Sequence, residues 1–263
     1  GIPMIKRPVT TILSVLAALC ILLPAVATAQ DNPPPLAEVW MVTIKDGHGS
    51  EFNKALAEHM KFRSENGDPR DWQAYRPLLG EKLNRIGLRS CCFNWADLDT
   101  YREWGKNNSK VGEHFDTHVG PHVEHYAHYF ETMHWNNSHW ADSADGASLF
   151  AVTEFKVRPG HGAEFSAARD KLLQIALNQG WATEENSWIW TSTIGGSPVE
   201  GIVIPYQNFA GLDRGQNNFS RYLAEHLGEE GAAKLMKQVS SSTRGSSYQI
   251  WEHQKNLSME SGD

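Results

Sequence analysis

The sequence predicts an α+β fold in which two tandem ferredoxin-like (split βαβ) repeats form one intramolecular α+β barrel. The first observation is a repeat: VTIKDGHGSEF at Val42–Phe52 returns as FKVRPGHGAEF at Phe155–Phe165, about 113 residues later. The echo continues in order. Trp72 is answered by Trp188, Trp95–Asp99 by Phe209–Asp213, Asn107-Asn108 by Asn217-Asn218, Glu113-His114 by Glu225-His226, and Phe130-Glu131 by Trp251-Glu252. Copies of this length are too long for solenoid units and suit two small domains. The second observation is that each copy alternates strand and helix patterns in the order β-α-β-β-α-β. The third is a physical requirement. A four-stranded antiparallel sheet with both helices on one side leaves its other face uncovered, and two copies in one chain can bury those faces against each other.

Copy one opens with a β-branched, apolar strand at Glu38–Lys45, stopped by Asp46-Gly47; copy two opens with Leu149–Arg158, stopped by Pro159-Gly160. Helical spacing follows. Phe52, Leu56, His59 and Met60 share a face in the first copy, as do Phe165, Ala168, Leu172, Leu173 and Ala176 in the second. Gly67 and Gly180 are placed to end these helices, because glycine enters the left-handed conformation without a Cβ penalty. Two strands come next in each copy: Trp72–Leu79 and Ile86–Trp95, then Ser187–Ile194 and Gly201–Tyr206, the latter two joined across Gly195-Gly196-Ser197-Pro198. A second helical region covers Ala96–His118 and Gly211–Val239, and a last strand covers His125–Met133 and Ser247–His253. The plan is therefore repeat one at 36–135, a polar linker at 136–148, repeat two at 149–256 and a polar tail at 257–263.

Residues 1–29 carry the pattern of a secretory signal peptide: basic Lys6 and Arg7, an apolar run at Thr11–Leu23, the breaker Pro24, and small residues before Gln30. Gln30–Pro35 reads as a flexible leader. The expectation is an exported protein, periplasmic or extracellular after cleavage near Ala29. It keeps no stable membrane span after processing, because the apolar run is shorter than the roughly 20 residues a span requires. Removing the signal leaves 22 basic against 31 acidic residues, a net charge of about −9 with histidine neutral. That balance repels phosphate backbones and argues against nucleic acid as a partner. Cys91 and Cys92 remain side by side in an apolar stretch. They read first as buried thiols, with a vicinal disulfide as the sharper alternative.

A strand ending in Asp-Gly or Pro-Gly, followed by Glu-Phe at the opening of a helix within a split-βαβ unit, resembles the dimeric α+β barrel superfamily. VRPGHGAEF at Val157–Phe165 is similar to the start of antibiotic-biosynthesis-monooxygenase-type domains. The resemblance covers both copies and rests on a turn and a helix entry. It implies relatives that include metal-free small-molecule oxygenases, haem-degrading enzymes, haem-dependent proteins and members without known activity. In haem-degrading relatives a histidine on the second helix acts together with an Asn and a Trp. His114 or His226 can fill the histidine role, while the Asn and Trp find no residue-by-residue match.

The densest chemistry lies in Glu113–Phe130, which holds His114, His118, His122, His125 and His128. His114 and His118, at i and i+4, share a helical face and can ligate a metal or haem iron, with His122 as a third ligand. Gly120-Pro121 breaks the helix, and His125 and His128 on the following strand point to opposite faces, so all five cannot meet at one ion. The alternatives are a solvated helix end favoured by the macrodipole, and metal-free proton transfer by an imidazole. His114 and His226 recur at one fold position and are the candidate catalytic bases. Trp40, Trp72, Trp188, Trp190 and Trp251 either pack the core or line a ligand-binding barrel interior.

The functional expectation is a small-molecule-binding barrel, monooxygenase-like, acting on a hydrophobic or aromatic compound. The alternatives are a non-enzymatic binder of haem, a metal or an apolar ligand, and a purely structural role. Further dimerisation is open. Because copy one is rich in histidine and copy two poor, one site per chain is expected rather than two equivalent ones.

Overall fold

A computed structural model describes residues 32–260. The signal peptide falls outside these residues, as does the start of the leader. Repeat one contributes β1 (Leu36–Ile44), α1 (Gly49–Glu65), β2 (Trp72–Leu79), β3 (Arg85–Phe93), α2 (Trp95–Asn107), α3 (Ser109–His118) and β4 (Val123–Met133). Repeat two contributes β5 (Leu149–Val157), α4 (Gly162–Asn178), β6 (Ile189–Ile194), β7 (Glu200–Tyr206), α5 (Phe219–Ser241) and β8 (Thr243–His253). The strands close into one antiparallel barrel in the order β1-β3-β2-β8-β5-β7-β6-β4. Two seams join the repeats: Tyr75–Leu79 of β2 against Ile250–His253 of β8, and Phe130–Met133 of β4 against Thr191–Ile194 of β6.

Side-chain alternation divides each strand between the barrel interior and a helix-covered outer face. Val42 and Ile44 of β1 face outward with Trp72, Ala74, Ile86 and Leu88, against Phe52, Leu56 and Met60 of α1. Phe165 and Leu173 of α4 pack likewise with Trp188, Trp190, Tyr222 and Leu235. The opposite register faces inward. Arg89 Nε donates to Glu131 Oε2 at 3.0 Å, and a Cβ at Gly87 would meet Met41 and Trp251. Tyr75 meets Phe150 edge-to-face across the seam at 5.5 Å. Burial pushes the interior Tyr129 phenol well above its ordinary range, with Glu131 and Glu154 adding to the shift.

This division corrects the expected Trp-lined interior. Trp40, Trp72 and Trp190 lie on outward-facing register and Trp188 joins the same helix-side core, so of the five only Trp251 is interior. The repeat alignment contained the cause. Val42 pairs with Tyr126 in repeat one, and its counterpart Phe155 pairs with Ser246 in repeat two. Trp251 is therefore the counterpart of Glu131, not Phe130, and a one-residue slip moves a side chain to the other face.

Four further expectations change. The second helical region of repeat one is two helices meeting at Asn108, and α5 contains a break at Gly228, where φ is 74°. The linker is anchored, with Ala141, Ala144 and Ala147 buried. The tail is not simply polar. Met259 N donates to Trp72 O at 2.9 Å, and Leu257 and Met259 are buried in the core of repeat one. Cys91 and Cys92 are joined as a vicinal disulfide rather than standing as thiols. Because Leu257 is 2% exposed, Leu257→Ala should destabilise the fold by about 2–5 kcal/mol in urea titration.

Candidate functional site

The site lies between the outer face of the repeat-one sheet and helices α1, α2 and α3. Strand alternation places Glu38 and Trp40 on the outer face of β1, and the register pairs Trp40 directly with His128 of β4. The two rings stack at 4.0 Å and 9°. Glu38 is 7% exposed in a mostly apolar strand and is compensated from three directions. Arg70 pairs with Oε2, His128 Nε2 lies 2.8 Å from Oε1, and Trp40 Nε1 donates to Oε1 at 3.2 Å. The Arg70 guanidinium sits over the rings of Tyr101 at 3.9 Å and Phe93 at 4.1 Å.

A second network starts on the last turn of α1. Arg63 Nε donates to Asp68 Oδ2 at 2.7 Å, its Nη2 to the Tyr101 hydroxyl at 3.0 Å, and its Nη1 to His59 Nε2 at 3.3 Å. The Tyr101 hydroxyl donates to Asp68 at 3.1 Å and accepts from Trp72 Nε1 at 3.1 Å. Arginine can only donate, so His59 Nε2 accepts and a neutral His59 carries its proton on Nδ1. That proton points to His114 Nδ1, 3.2 Å away. His114 therefore spends its lone pair on His59 and keeps its own proton on Nε2. Burial, the Arg63 charge and the neighbouring His114 and His118 push His59 down to about 3.

Two cavities open beside these networks. The larger, about 800 Å³, is bounded by Glu38, His128, Phe130, Trp95, Tyr101 and Trp104. The smaller, about 330 Å³, is bounded by Trp40, His59, Met60, Trp72, Phe115 and Tyr126. Arg63 and Gly112 line both. The corresponding helix-side space of repeat two is packed, with Phe155 and Phe165 centred 5.7 and 6.1 Å from Trp190.

The sequence-predicted residues divide accordingly. Trp40 and Trp72 line the smaller cavity. Trp188 and Trp190 are buried, their indole N–H groups donating to the Asn137 carbonyl and to Glu200 at 2.7 Å each. His114 and His118 are neighbours at 4.4 Å between ring centroids, and desolvation followed by His118 lowers the His114 pKa. His122 is not with them. It pairs with His48 at 3.0 Å. His48 and His59 lie eleven positions apart, roughly 16 Å along α1 at 1.5 Å per residue, so the expected trio of metal ligands does not converge. Among the described residues no three His, Cys, Asp or Glu side chains form a metal-holding group. His226 is exposed and donates from Nδ1 to the Tyr222 carbonyl at 2.8 Å. His114, with its lone pair engaged by His59, does not fit an axial haem ligand, whereas His226, donating from Nδ1, keeps its lone pair on Nε2. Glu38, His59, Arg63 and Tyr101 did not stand out as site residues in the sequence, and His128 stood out only as one of the five histidines of Glu113–Phe130. The available signals were a carboxylate inside an apolar strand and a histidine on the apolar stripe of α1.

No family model matches the sequence, and no curated protein matches it. Solved structures do. A candidate monooxygenase from Lactobacillus acidophilus NCFM aligns over 84% of this chain and 94% of its own at 12% identity, with a TM-score of 0.50. A second candidate monooxygenase, from Fusobacterium nucleatum subsp. nucleatum, aligns over 85% and 94% at 9% identity, with a TM-score of 0.54. A chlorite dismutase variant from Candidatus Nitrospira defluvii aligns over 86% and 94% at 9% identity, with a TM-score of 0.51. At these identities the likeness shows the fold. The chain has the ferredoxin-like α+β barrel fold of these proteins.

The site predicts a pH signature. His59 titrates near 6.5 when unfolded and near 3 when folded, so the unfolded chain binds the extra proton between those values. Stability from this group is complete above the upper value and is lost as pH falls through the window. Urea titrations at pH 7 and 4.5 should show His59→Gln losing stability less steeply than the parent. The difference should approach one proton, up to about 1.4 kcal/mol per pH unit.

Proposed function

We propose that this protein is a monooxygenase-like enzyme acting on an aromatic compound in the repeat-one cavity, with His128 as the base. The observation that carries the reading is the Glu38–His128 pair in the wall of an aromatic-lined cavity. A carboxylate accepting from Nε2 fixes the tautomer and leaves the lone pair on Nδ1, the arrangement a general base requires. The monooxygenase-like structural neighbours are consistent with this reading.

The chemistry needs no outside reductant. His128 takes a proton from a methylene activated by flanking rings or a carbonyl, and the carbanion is delocalised into the aromatic system. Reaction with dioxygen gives a peroxide anion, to which the imidazolium returns the proton. Loss of water then gives the ketone. In sum, one methylene and one dioxygen become one ketone and one water: carbon gives four electrons and dioxygen takes four. Arg63, ion-paired with Asp68, lines both cavities and can offer its remaining N–H donors to the delocalised anion.

The protein is further read as exported, on the strength of Lys6-Arg7, the Thr11–Leu23 apolar run and the Ala27-Thr28-Ala29 cleavage pattern. A non-enzymatic apolar-ligand binder is the second reading, supported by the aromatic lining alone.

Oxygen uptake with anthrone, a diaryl ketone bearing an activated methylene, tests the proposal. His128→Ala should lower the protein-dependent rate about 10²-fold or more, and His114→Ala should leave it near that of the parent. Glu38→Gln should lower the rate less than loss of the base. An undiminished rate in folded His128→Ala would overturn the assignment. Binding of anthrone without uptake would favour the non-enzymatic reading.

A further inference from the structure

We propose that the two cavities work as one elongated site for a multi-ring aromatic molecule, and that Gly112 is the residue that keeps them joined. This rests on the repeat-one cavity being the ligand site. Gly112 lies within α3 and lines both cavities. Asn108, Gly112 and Asp116 follow at four-residue spacing and so share one helix stripe. Asn108 lines the larger cavity and Asp116 the smaller. A side chain at position 112 would therefore project between them.

Gly112 is exposed, and among the described residues nothing else asks for glycine there. Its backbone is helical, and a Cβ built on it meets no heavy atom within 4 Å. Glycine is among the poorest helix formers, so this position sets helix propensity aside without a packing or conformational reason. Its remaining consequence is open space at the junction.

The sheet side makes the same connection. Trp40 floors the smaller cavity and His128 the larger, and their rings stack at 4.0 Å, so the floor runs from one to the other. The larger cavity carries the Glu38–His128 pair, whereas the smaller is walled by Trp40, Met60, Trp72, Leu88, Phe115 and Tyr126. A ligand that uses both presents its reactive carbon to His128 and a further ring to the apolar end. That defines an elongated, multi-ring substrate class rather than a single-ring one.

Fluorescence titration of the parent, Gly112→Ala and Gly112→Leu with two probes decides this. N-phenyl-1-naphthylamine is long and three-ringed; 2-naphthol is short. Both variants should melt at or above the parent temperature, since both residues are better helix formers. In Gly112→Leu the naphthylamine should lose at least tenfold in affinity and 2-naphthol should stay within twofold, with Gly112→Ala intermediate. If Gly112→Leu does not fold, a threefold or greater loss confined to the naphthylamine in Gly112→Ala supports the inference in its place, and no such loss overturns it. Unchanged naphthylamine binding in a folded Gly112→Leu would overturn the inference and leave the cavity assignment intact. Equal losses for both probes would also overturn it, since the position would then block entry rather than divide the site. If neither probe binds the parent, the cavity assignment falls and the inference with it.

Discussion

Closing two four-stranded sheets edge to edge gives every strand two faces to fill, and the rest of the structure depends on that constraint. A lone sheet of this topology could leave one face in water. Here the seams β2–β8 and β4–β6 turn those faces inward, where Tyr129, Trp251 and the Arg89–Glu131 pair occupy the barrel. The two cavities of repeat one lie on the other face, between the sheet and α1 to α3.

The two repeats then diverge at matching positions. Along the 113-residue offset, Glu38 corresponds to Ala151, Trp40 to Thr153, His59 to Leu172 and Arg63 to Ala176. At these four positions the repeat-one side chain becomes small or apolar in repeat two, and Phe155, Phe165 and Trp190 fill the space. Filling the second core with large aromatic side chains supplies apolar burial there. The first repeat instead leaves space beside Glu38, His59 and Arg63, whose burial is tolerable because each is hydrogen-bonded. The cavities and their polar networks thus lie in repeat one, which is where the candidate site is drawn.

Much of the fold was legible because its signals are local. Strand β2 begins and ends where its pattern places it, at Trp72 and Leu79. Gly67 and Gly180 take φ of 69° and 88° just beyond their helices, as helix-ending glycines do. Asn218 caps α5, accepting from Arg221 N at 2.9 Å. The site was less legible because its partners are distant in sequence. Glu38 meets His128 across 90 positions, and His59 meets His114 across 55. Histidine density drew attention to His114, yet hydrogen bonding decides which nitrogen has a lone pair, and there it is His128 that keeps one.

From the sequence alone followed the tandem repeat, the order of elements and the closed barrel, since periodicity and turn chemistry act within a few residues and the uncovered sheet faces need partners. Tertiary structure alone decided which face of each strand was which, that Leu257 and Met259 return to the first core, and that Cys91 and Cys92 are bridged. It also decided that a buried carboxylate orients one histidine among several. The physical reason is common to these cases. Strand register and hydrogen-bond partners are set by pairings between segments far apart in the chain, and a shift of one residue exchanges inside for outside.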